Sequence, residues 1–420
     1  MKIFFKKIIE HLLTSKARRY LKKNNVQVIA VTGSIGKTST KEAIYTVLKS
    51  QFDVASSQKS FNTPIGMSLA ILGEEQSGFS SVPAWFNILK RIYFHPKKAP
   101  AKMVLEMGAD HPGDIAKLMS IAPPSISVVT AVREVHLAEG QFKDVEAIAH
   151  EKETLVRLLS KKGTAILNGD DGRVRPMHTS AKKVMFGVDH PAELMAKDIQ
   201  ATPQKLSFTV TYEHQSEQCE VSVVGAFQVY VCLPAIAVGL SLGMSLKQCI
   251  QALADFKLPP GRLNPIEGLN QTHILDGSYN ASPSTVLAAL EVLNQLAAPR
   301  KIAALGTMNE LGEQSKAAHL IVGQKAGQVV DWLIAVGKEA DSIKEGALQA
   351  GMKQSTIHTF VDSKEAGQFL RSHLQKNDLI LVKGSQNKVR MERLVKEIMK
   401  EPGRALELLC RQGAEWEEID

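Results

Sequence analysis

The stretch VIAVTGSIGKTSTKEAI, residues 28–44, decides the fold of the first part of this chain. Residues 28–31 form an apolar run rich in β-branched side chains, which predicts a buried strand, and residues 40–48 have apolar side chains at helical spacing. Gly33 and Gly36 lie between them, where glycine allows backbone conformations that a side chain would block. A strand, a glycine turn and a helix in this order are typical of a loop whose backbone N–H groups surround an anion.

The turn carries a shortened form of the P-loop sequence, Gly33-x-x-Gly36-Lys37-Thr38, because Val31 stands where the full pattern has its first glycine. In such a loop the lysine is expected to reach the β- and γ-phosphates of a nucleotide, and the threonine hydroxyl is expected to hold Mg²⁺. The alternative is a plain glycine turn followed by an exposed lysine. The order of strand, turn and helix favours nucleotide binding.

The length and charge of the chain exclude several classes of protein. With 420 residues and 44% hydrophobic content, it can bury a large core and is expected to form two or three domains. Residues 1–23 hold eight Lys and Arg and one acid, Glu10, so the remaining 397 residues have 43 basic and 42 acidic side chains. A nucleic-acid groove spreads its basic residues through the body of the protein, so the charge does not indicate a DNA or RNA partner. The sequence also shows no second P-loop and no helicase-like acidic pair.

The cysteines and the apolar segments indicate a protein of the reducing cytoplasm. No two cysteines have disulfide-motif or metal-ligand spacing, and no secretion signal precedes them. The four cysteines are Cys219, Cys232, Cys249 and Cys410. The most apolar stretch, residues 229–244, is shorter than the ~20 residues that a membrane span needs and contains Pro234, so a core helix is predicted.

The order of strand and helix patterns predicts an α/β protein with two parallel sheets. In the first half, strands are predicted at 26–31, 103–106, 126–130 and 164–167, and helices at 39–50, 113–121 and 145–160. Alternating residues at 199–224 predict an antiparallel hairpin, followed by helices at 227–243 and 246–256. We therefore expect a doubly wound, parallel-sheet central domain that contains the P-loop.

A second, Rossmann-like α/β pattern follows a segment rich in proline and glycine, residues 256–268, which is predicted to be a linker. Its strands are predicted at 273–276, 301–305, 332–337, 357–361 and 379–383, and its helices at 284–296, 316–328, 340–350, 364–374 and 388–400. The acidic end, residues 415–420, is predicted to be a solvated tail. The predicted domains are an N-terminal helix (1–24), a central ATP-binding domain (25–258) and a C-terminal domain (259–420).

Three polar residues of the central domain are candidates for chemistry. Glu106 ends a predicted strand and His136 closely follows another, so both are expected to face the nucleotide crevice at the carboxyl edge of the sheet. A structural glutamate and a hydrogen-bonded structural histidine are the alternatives. Lys152 lies within an amphipathic helix, where composition alone favours a surface lysine paired with Glu151 or Glu153.

Ten short motifs occur in a fixed order between residues 28 and 392. They are GSIGKTS (33–39), SFNTPIG (60–66), EMGA (106–109), VHL (135–137), EK (151–152), LNGDD (167–171), PPGRL (259–263), DGSYNASP (276–283), ALGTMNELG (304–312) and LVKGSQ (381–386). This series resembles the ordered motifs of the Mur ligase family and is most similar to its D-alanyl-D-alanine-adding branch. SYNASP followed by LGTMNELG is the most specific part of the resemblance.

The resemblance implies an ATP-dependent ligase that forms an amide bond in peptidoglycan precursor synthesis. ATP's γ-phosphate passes to a substrate carboxylate, and an amine such as D-alanyl-D-alanine then displaces phosphate from the acyl phosphate. Catalysis of this kind consists largely of positioning and charge neutralisation. The implied cofactors are ATP and Mg²⁺, and the implied partners are small molecules, a peptide-bearing acceptor and an amine donor.

The resemblance also implies roles for individual residues. Lys37, His136 and Lys152 are implied in catalysis. Thr38 and Glu106 are implied as ligands of one Mg²⁺ beside ATP. His136 is implied for a second Mg²⁺, shared with a carbamate formed on Lys152, since CO₂ turns the lysine amine into a carboxylate-like oxygen ligand. The implied nucleotide-binding residues are Thr32, Gly33, Ser34, Ile35, Gly36, Lys37, Thr38, Ser39, Asn168, Arg262 and Asp276. The implied substrate-binding residues are Asn62, Asn280, Ser282, Pro283 and Glu310.

Two functions stay open because members of this family usually have a whole UDP-sugar-binding domain before the P-loop. About 30 residues precede the loop here, too few for an independent domain, so a partner that supplies this domain is one expectation. The chain is then either a ligase or a nucleotide-binding, non-catalytic or regulatory relative that docks on a partner or a membrane. The presence of the residues implied in catalysis and metal binding favours the ligase.

Residues 1–23 predict a basic, amphipathic helix. Its apolar residues recur at helical spacing and are Phe4, Phe5, Ile8, Ile9, Leu12 and Leu13. Basic residues that occupy much of the remaining surface are Lys6, Lys7, Lys16, Arg18 and Arg19. This composition is typical of a helix at a membrane interface, which would place a cytoplasmic enzyme at the membrane. The alternative is a helix whose apolar stripe packs on the protein's own sheet or on a partner subunit.

Overall fold

The computed structural model describes most of the chain and divides it into two compact units. The described residues are 2–57, 63–74, 82–94, 97–133, 141–309, 311–386, 389–413 and 416. The first unit comprises Met1–Asp198, Phe208–Glu220 and Val229–Phe256, and the second comprises Ile199–Ser207, Val221–Gln228 and Lys257–Asp420. Three of the predicted site residues, Asn62, His136 and Glu310, lie outside the described residues.

The first nine strands of the described chain form one sheet. They are β1 (Gln27–Thr32), β2 (Val54–Ser56), β3 (Lys102–Glu106), β4 (Ile126–Val129), β5 (Thr164–Asn168), β6 (Lys182–Gly187), β7 (Leu194–Ala201), β8 (Leu206–Tyr212) and β9 (Gln215–Val221). Their order is β2-β3-β1-β4-β5-β6-β7-β8-β9, and neighbours from β2 to β7 pair in parallel. A two-residue turn joins β8 to β9, which makes that pair the predicted antiparallel hairpin.

The helices of the first unit bury apolar faces against this sheet and against each other. They are α1 (Lys2–Lys23), α2 (Lys37–Lys49), α3 (Pro64–Ile71), α4 (Val82–Phe94), α5 (Asp114–Ile121), α6 (Val145–Arg157), α7 (Val229–Ser241) and α8 (Leu246–Leu253). Helix α2 packs on α7 and α8, while α1 packs on α3 and α5. The predicted core helix is confirmed, because nearly every residue of α7 is buried.

The second unit contains a six-stranded sheet with the order β10-β11-β15-β12-β13-β14. Its strands are β10 (Asn264–Glu267), β11 (His273–Gly277), β12 (Lys301–Gly306), β13 (Trp332–Val336), β14 (Ile357–Phe360) and β15 (Leu379–Lys383). Its helices are α9 (Pro283–Gln295), α10 (Ser315–Val329), α11 (Ala340–Gln349), α12 (Ser363–His373), α13 (Glu392–Ile398) and α14 (Ala405–Leu408). Two hydrophobic clusters, one of them containing α9 and α10 and the other α12 and α13, include buried side chains of this sheet. The predicted fold class, α/β with two parallel-sheet regions, is confirmed.

Three details of the predicted organisation are wrong. The linker prediction fails at Asn264–Glu267, which forms strand β10, antiparallel to β11 at the end of the sheet, where proline is tolerated. Helix α13 begins at Glu392 rather than residue 388, because Arg390 has a left-handed φ of 49° that a helix cannot include. Trp416 is not part of a solvated tail, since Arg390 Nη1 donates a 2.7 Å hydrogen bond to its carbonyl oxygen.

Helix α1 belongs to the core of the first unit along one face. Its residues Ile9, Leu13, Ala17 and Leu21 are buried in the same hydrophobic cluster as residues of α3 and α5. The predicted alternative of internal packing therefore accounts for one stripe of this helix. Within the described part of the chain, no helix combines the length and the apolar character that a membrane span requires.

Candidate active site

The glycine turn lies at the carboxyl end of β1, as the sequence predicts. Gly33 has a φ of 150° and Gly36 has a φ of 81°, and α2 begins directly after Gly36. A Cβ atom on Gly33 would lie 1.9 Å from Thr130 Oγ1, so a side chain cannot be accommodated unless Thr130 moves. The first glycine is thus required by the close approach of the chain after β4.

The residues that follow β4 hold this turn in place by hydrogen bonds. Ser34 N donates to the carbonyl of Ala131 at 2.7 Å, and Thr130 Oγ1 donates to the carbonyl of Ile35 at 2.7 Å. Ser34 Oγ donates to the carbonyl of Arg133 at 3.0 Å and accepts a hydrogen bond from its N–H at 2.9 Å. The position of the turn is therefore fixed by β4 as well as by β1.

Lys37 lies back over the turn that precedes it. Its Nζ donates to the carbonyl oxygens of Gly33 at 2.9 Å and Ser34 at 3.3 Å. The structure thus brings the ammonium group, the turn and the amino end of α2 together, and Ser39 follows half-buried in the first turn of the helix. Positive charge and a helix N-terminus at one place are the requirements for binding a phosphate.

Thr38 and Glu106 provide oxygen ligands suited to a hard cation. Glu106 ends β3, which is paired with β1 so that Val31 and Glu106 are register partners. Thr38 Oγ1 donates to Glu106 Oε2 at 3.0 Å, and Glu106 is 5% exposed. A hydroxyl and a carboxylate held beside a phosphate-binding turn fit Mg²⁺, which is bound by oxygen atoms from a small number of protein groups and from the nucleotide. No group of three or more His, Cys, Asp or Glu side chains with metal-binding geometry occurs among the described residues.

Lys152 is a buried residue of α6 rather than a surface lysine. It is 2% exposed, and burial lowers the pKa of its amine to about 7. The positive charge of Lys37 lowers this pKa further, while the carboxylates of Glu151, Asp110 and Glu106 oppose the shift. Lys152 therefore lies within electrostatic range of both the P-loop lysine and the glutamate at the end of β3.

The two acidic neighbours of Lys152 in the sequence have other partners. Glu151 accepts hydrogen bonds from the N–H groups of Gly113 and Ile115, both at 2.8 Å, at the amino end of α5. Glu153 accepts a hydrogen bond from the N–H of His178 at 2.9 Å. The alternative of a solvated Lys152 paired with one of these acids is wrong, because the helix turns Lys152 inward.

Asn168 connects the ends of β4 and β5. Its Nδ2 donates to the carbonyl of Thr130 at 2.8 Å, and its Oδ1 accepts a hydrogen bond from the N–H of Asp170 at 3.0 Å. Asp170 in turn accepts hydrogen bonds from the N–H of His190 at 2.7 Å and from the hydroxyl of Tyr230 at 2.9 Å. Asn168 is buried and holds the same residue, Thr130, that packs against Gly33.

In the second unit, Asp276 is buried at the end of β11. Its Oδ1 accepts a hydrogen bond from the N–H of Ser278 at 3.0 Å, and its Oδ2 has no hydrogen-bond partner among the described residues. Burial raises the pKa of this carboxyl group to about 6. A buried carboxylate oxygen without a donor is an available acceptor for a ligand.

Residues at the end of β15 form hydrogen bonds with the loops that follow β11 and β12. Lys383 Nζ donates to the carbonyl of Asn280 at 2.7 Å, and burial lowers the pKa of its amine to about 7. Ser385 Oγ donates to the carbonyl of Ala281 at 3.0 Å and accepts a hydrogen bond from the N–H of Asn309 at 2.9 Å. The sequence predicted no roles for Lys383 and Ser385, although both lie in the LVKGSQ motif.

The segment after β11 continues directly into α9. Ser282 precedes the helix, and its N–H donates to Thr285 Oγ1 at 2.9 Å. Pro283 occupies the first helical position, where the missing N–H costs nothing. Asn280 Oδ1 accepts a hydrogen bond from the N–H of Ala281 at 2.9 Å. Hydrogen bonds therefore hold this segment both before Ser282 and after it.

Arg262 stacks on an aromatic ring of the same unit. Its guanidinium lies 4.1 Å from the centroid of the Tyr279 ring. Arg411 donates to the backbone carbonyls of Ser278 at 2.6 Å and Tyr279 at 2.9 Å. Arg411 is itself paired with the buried Glu392 at 2.7 Å. The loop that carries Tyr279 is therefore held by a residue near the end of the described chain.

Comparison with known proteins places these two regions in one family. A profile of the Mur ligase middle domain matches residues 31–239, and a profile of the Mur ligase glutamate ligase domain matches residues 261–386. The UDP-N-acetylmuramoyl-tripeptide--D-alanyl-D-alanine ligase of Bacillus subtilis (strain 168) is 28% identical over 392 residues, which cover 93% of this chain and 79% of that protein. The enzyme of the same name from Mycobacterium tuberculosis (strain ATCC 25618 / H37Rv) is 31% identical over 386 residues, with coverage of 85% and 70%. The crystal structure of MurF ligase from Thermotoga maritima in complex with ADP gives a TM-score of 0.75 at 27% identity, covering 94% of this chain and 84% of that one.

Proposed function

Since the chain belongs to the Mur ligase family, we propose that it is an ATP-dependent ligase that joins D-alanyl-D-alanine or a similar amine to a peptidoglycan precursor. The observation that carries this proposal is the Lys37 turn and the Thr38–Glu106 contact at the carboxyl edge of the first sheet, with the buried Lys152 within electrostatic range of Lys37 and Glu106. A protein that only binds nucleotide would not need a buried lysine amine beside these groups.

The reaction has two steps, and in each step one bond forms as another breaks. A carboxylate oxygen of the acceptor attacks the γ-phosphorus of ATP, so a new O–P bond forms, the bond to the β-phosphate oxygen breaks, and ADP leaves. The amine nitrogen then attacks the acyl carbon, phosphate leaves, and the amine loses a proton. Lys37 and the N–H groups of the turn bind and orient the phosphates, which is where most catalysis of phosphoryl transfer arises.

Mg²⁺ fits the Thr38–Glu106 pair at the end of β3. We propose that these two residues would hold one Mg²⁺ beside ATP, and that His136 and a carbamate on Lys152 would hold a second. When bound, these cations would neutralise the negative charge that the phosphates and the acceptor carboxylate bring together. The carbamate forms when the neutral amine of Lys152 attacks CO₂ and loses a proton. A pKa of about 7 keeps a large fraction of this amine neutral near physiological pH, which supports the assignment.

The remaining site residues are proposed from the family resemblance together with their local geometry. Thr32 through Ser39, Asn168, Arg262 and Asp276 are proposed to contact ATP. The free Oδ2 of Asp276 supports its part in this assignment. For the acceptor and the amine, the proposed contacts are Asn62, Asn280, Ser282, Pro283 and Glu310.

We propose a cytoplasmic location with reversible contact to a membrane through residues 1–23. The eight Lys and Arg residues of this segment support electrostatic attraction to anionic lipid. A partner protein that helps to bind the UDP-linked end of the acceptor is also part of the proposal.

The test of the ligase function is product formation. Purified protein is incubated with ATP, Mg²⁺, UDP-N-acetylmuramoyl-tripeptide and D-alanyl-D-alanine, and the products are identified by mass spectrometry. We expect the coupled product and ADP in equal amounts, and a loss of roughly hundredfold or more in rate for Lys37→Ala, which removes a phosphate-binding cation. Lys49→Ala, an exposed lysine on the same helix, is the control and should retain activity.

Two results would contradict the proposal in different ways. If Lys37→Ala binds ATP as well as the unmodified protein, the assignment of the P-loop is wrong. If ATP binds normally but no peptide acceptor is extended, the chain is a nucleotide-binding relative without ligase activity.

A further inference from the structure

Helices α1 and α4 are anchored in one core by their inner faces. Ile9 and Leu13 of α1 are buried in the same hydrophobic cluster as Ile88 and Ile92 of α4. Because these side chains are held inside the first unit, neither helix can turn its inner face to another ligand. Any partner must therefore bind the outer faces.

Exposed apolar side chains concentrate on those outer faces. Ile8 and Leu12 of α1 are 43% and 38% exposed, and Phe86, Tyr93 and Phe94 of α4 are 70%, 46% and 74% exposed. Among the described residues, these are five of the twelve large hydrophobic side chains that are exposed, and three of the four aromatic ones. Single exposed hydrophobic residues are ordinary, but a group of this kind marks a binding surface.

Side chains of α1 contact α4 and the residues that follow it. Lys16 Nζ of α1 is 4.4 Å from the centroid of the Tyr93 ring of α4. The hydroxyl of Tyr20 donates to the carbonyl of Lys97, shortly after α4, at 3.2 Å. We call the outer side of α1 and α4, with its five exposed apolar residues, the two-helix surface.

The segments that contain α1 and α4 also hold the excess positive charge of the chain. Residues 1–23 and 82–98 contain twelve Lys and Arg and a single acid, Glu10. The rest of the chain contains 39 basic and 42 acidic residues, so it is close to neutral. In this part of the structure Arg91 is neutralised by Glu74 at 2.8 Å, while Arg18, Arg19, Lys22 and Lys90 are exposed.

We propose that the two-helix surface docks on an anionic lipid membrane. Aromatic and aliphatic side chains can enter the boundary between headgroups and acyl chains, while the surrounding lysines and arginines contact the negative headgroups. Protein interfaces are depleted in lysine, and a nucleic-acid site needs no exposed leucine or isoleucine, so the combination fits lipid better than either.

This surface extends the proposed membrane contact of residues 1–23, and it does not depend on the ligase reaction. Insertion of the whole apolar stripe of α1 is replaced by this surface, because Ile9 and Leu13 of that stripe are buried in the core. Helix α4, for which the sequence made no prediction, supplies the three exposed aromatic side chains.

Co-sedimentation with vesicles tests the proposal on the full chain without substrates. One vesicle population is phosphatidylcholine alone, and the other contains phosphatidylglycerol as well. We expect binding to the anionic vesicles at low salt and its loss at high salt, because salt screens exposed charges. Phe86→Ser/Phe94→Ser should bind at least about tenfold more weakly, since two large apolar side chains no longer enter the lipid.

Two matched controls separate this surface from general effects of charge or apolar area. Val361→Ser/Leu406→Ser removes two exposed apolar residues of the second unit and should bind vesicles as the unmodified protein does. Arg18→Glu/Arg19→Glu/Lys22→Glu should abolish binding, whereas Lys247→Glu/Lys353→Glu/Lys376→Glu, an equal charge change at exposed lysines elsewhere, should leave most of it. Circular dichroism and thermal melting check that each variant is folded.

The proposal is overturned if the unmodified chain ignores anionic vesicles at low salt, or if Phe86→Ser/Phe94→Ser binds them equally well. It is also overturned if the surface binds another macromolecule in place of lipid. That outcome would appear as a concentration-dependent oligomer in light scattering, or as binding of a single-stranded oligonucleotide, that the same variants abolish. Ligase activity in solution should be unchanged in Phe86→Ser/Phe94→Ser, so failure of this proposal and failure of the ligase proposal are distinguishable.

Discussion

Two lysines of this chain, Lys152 and Lys383, have pKa values lowered to about 7, chiefly because they are buried. A buried ammonium is costly since the protein interior solvates charge less well than water does. Lys37 adds to the lowering at Lys152, and Arg262 adds to it at Lys383. The two amines have different roles. Lys383 donates a hydrogen bond to the carbonyl of Asn280, whereas Lys152 lies among the groups proposed to bind Mg²⁺.

Replacing Lys152 tests its proposed carbamate. Lys152→Ala is expected to lose ligase activity by roughly a hundredfold or more, because the site loses an oxygen ligand beside the phosphates. Short-chain carboxylates such as formate or acetate should restore part of that activity by supplying the missing oxygens. The measurement is the initial rate of ADP release with and without added carboxylate. Lys161→Ala, an exposed lysine shortly after the same helix, is the matched control and should need no rescue.

Carbon-13 NMR gives the same hypothesis a readout that does not depend on activity. Protein equilibrated with ¹³C-bicarbonate should show a carbamate resonance that is absent from Lys152→Ala and present in Lys161→Ala. Full activity of Lys152→Ala, or an unchanged resonance in that variant, would show that Lys152 carries no catalytic carbamate.

The sequence could identify Glu106 and Lys37 as candidates because their positions follow from local patterns, a strand end and a glycine turn. It could not predict the burial of Lys152, since a lysine between two glutamates on an amphipathic helix is typical of a solvated face. The structure shows that both glutamates are engaged by the backbones of other segments, at Gly113 and Ile115 and at His178. Burial here depends on tertiary contacts that no local pattern contains.

At the scale of elements, the loop between β11 and α9 depends on a segment that is distant in the sequence. Arg411 holds the backbone of Ser278 and Tyr279, and the ring of Tyr279 stacks on Arg262. Arg411 therefore sets the orientation of Arg262 indirectly, through Tyr279. Arg262 is in turn proposed to contact the phosphates of ATP. Arg411 is thus a positioning residue, connected to the nucleotide through Tyr279 and Arg262 and also through Ser278, whose N–H donates to Asp276.

Arg411→Ala is expected to raise the KM for ATP several-fold, because Tyr279 and Arg262 lose their support. The kcat should fall less, since no group that touches the reacting atoms is removed. Glu392 keeps its pairing with Arg390 in this variant, so no buried charge is left without a partner. Steady-state kinetics with ATP as the varied substrate provide the measurement, and Arg404→Ala, an exposed arginine of the same unit, is the control.

Two outcomes would count against this positioning role. A KM for ATP that is unchanged in Arg411→Ala would show that Arg262 does not need the support of the loop. Equal losses of kcat in Arg411→Ala and in Arg411→Lys, with KM unchanged in both, would indicate general destabilisation instead.

Helices and strands with a strong hydrophobic period could be predicted from the sequence. Elements whose structure depends on their tertiary surroundings could not. The strand and helix around the glycine turn were predicted to within two residues, because β-branched runs and helical spacing agree with the tertiary fold there. Strand β10 was read as a linker since it contains Pro265, and only its position at the end of the sheet makes that proline acceptable. Helix α4 presents aromatic residues to solvent, a pattern that does not resemble an ordinary amphipathic helix.

At the scale of the whole molecule, ionisable groups are distributed unevenly between surface and interior. The net positive charge of the chain lies in residues 1–23 and 82–98. Each unit, in contrast, buries lysine side chains, including Lys41 and Lys152 in the first and Lys383 in the second. The family and the two-sheet architecture were predictable from the sequence because ordered motifs extend over most of the chain. The buried lysines were not, because their locations depend on how loops at the carboxyl ends of strands meet.

The buried lysine of the second unit should make the stability of that unit depend on pH. The pKa of Lys383 is about 7 in the folded protein and has an ordinary value of 10.5. Between these two values the unfolded chain holds more protons than the folded one, so raising the pH through this window stabilises the folded state. For Lys383 alone, the free energy of unfolding should increase by about 2 kcal/mol between pH 7 and pH 9.

Lys383→Met removes this contribution, so its free energy of unfolding should rise less steeply with pH than that of the unmodified protein. Urea denaturation at a series of pH values gives the two slopes, and their difference is the quantity to compare, since the lost hydrogen bond to Asn280 lowers the variant's stability at every pH. Lys301→Met is the matched control, because the half-buried Lys301 also donates to a backbone carbonyl, that of Asn294, but through a hydrogen bond that is exposed to solvent. Identical slopes for Lys383→Met and the unmodified protein would mean that Lys383 stays charged in the folded state and that water or a counter-ion reaches it.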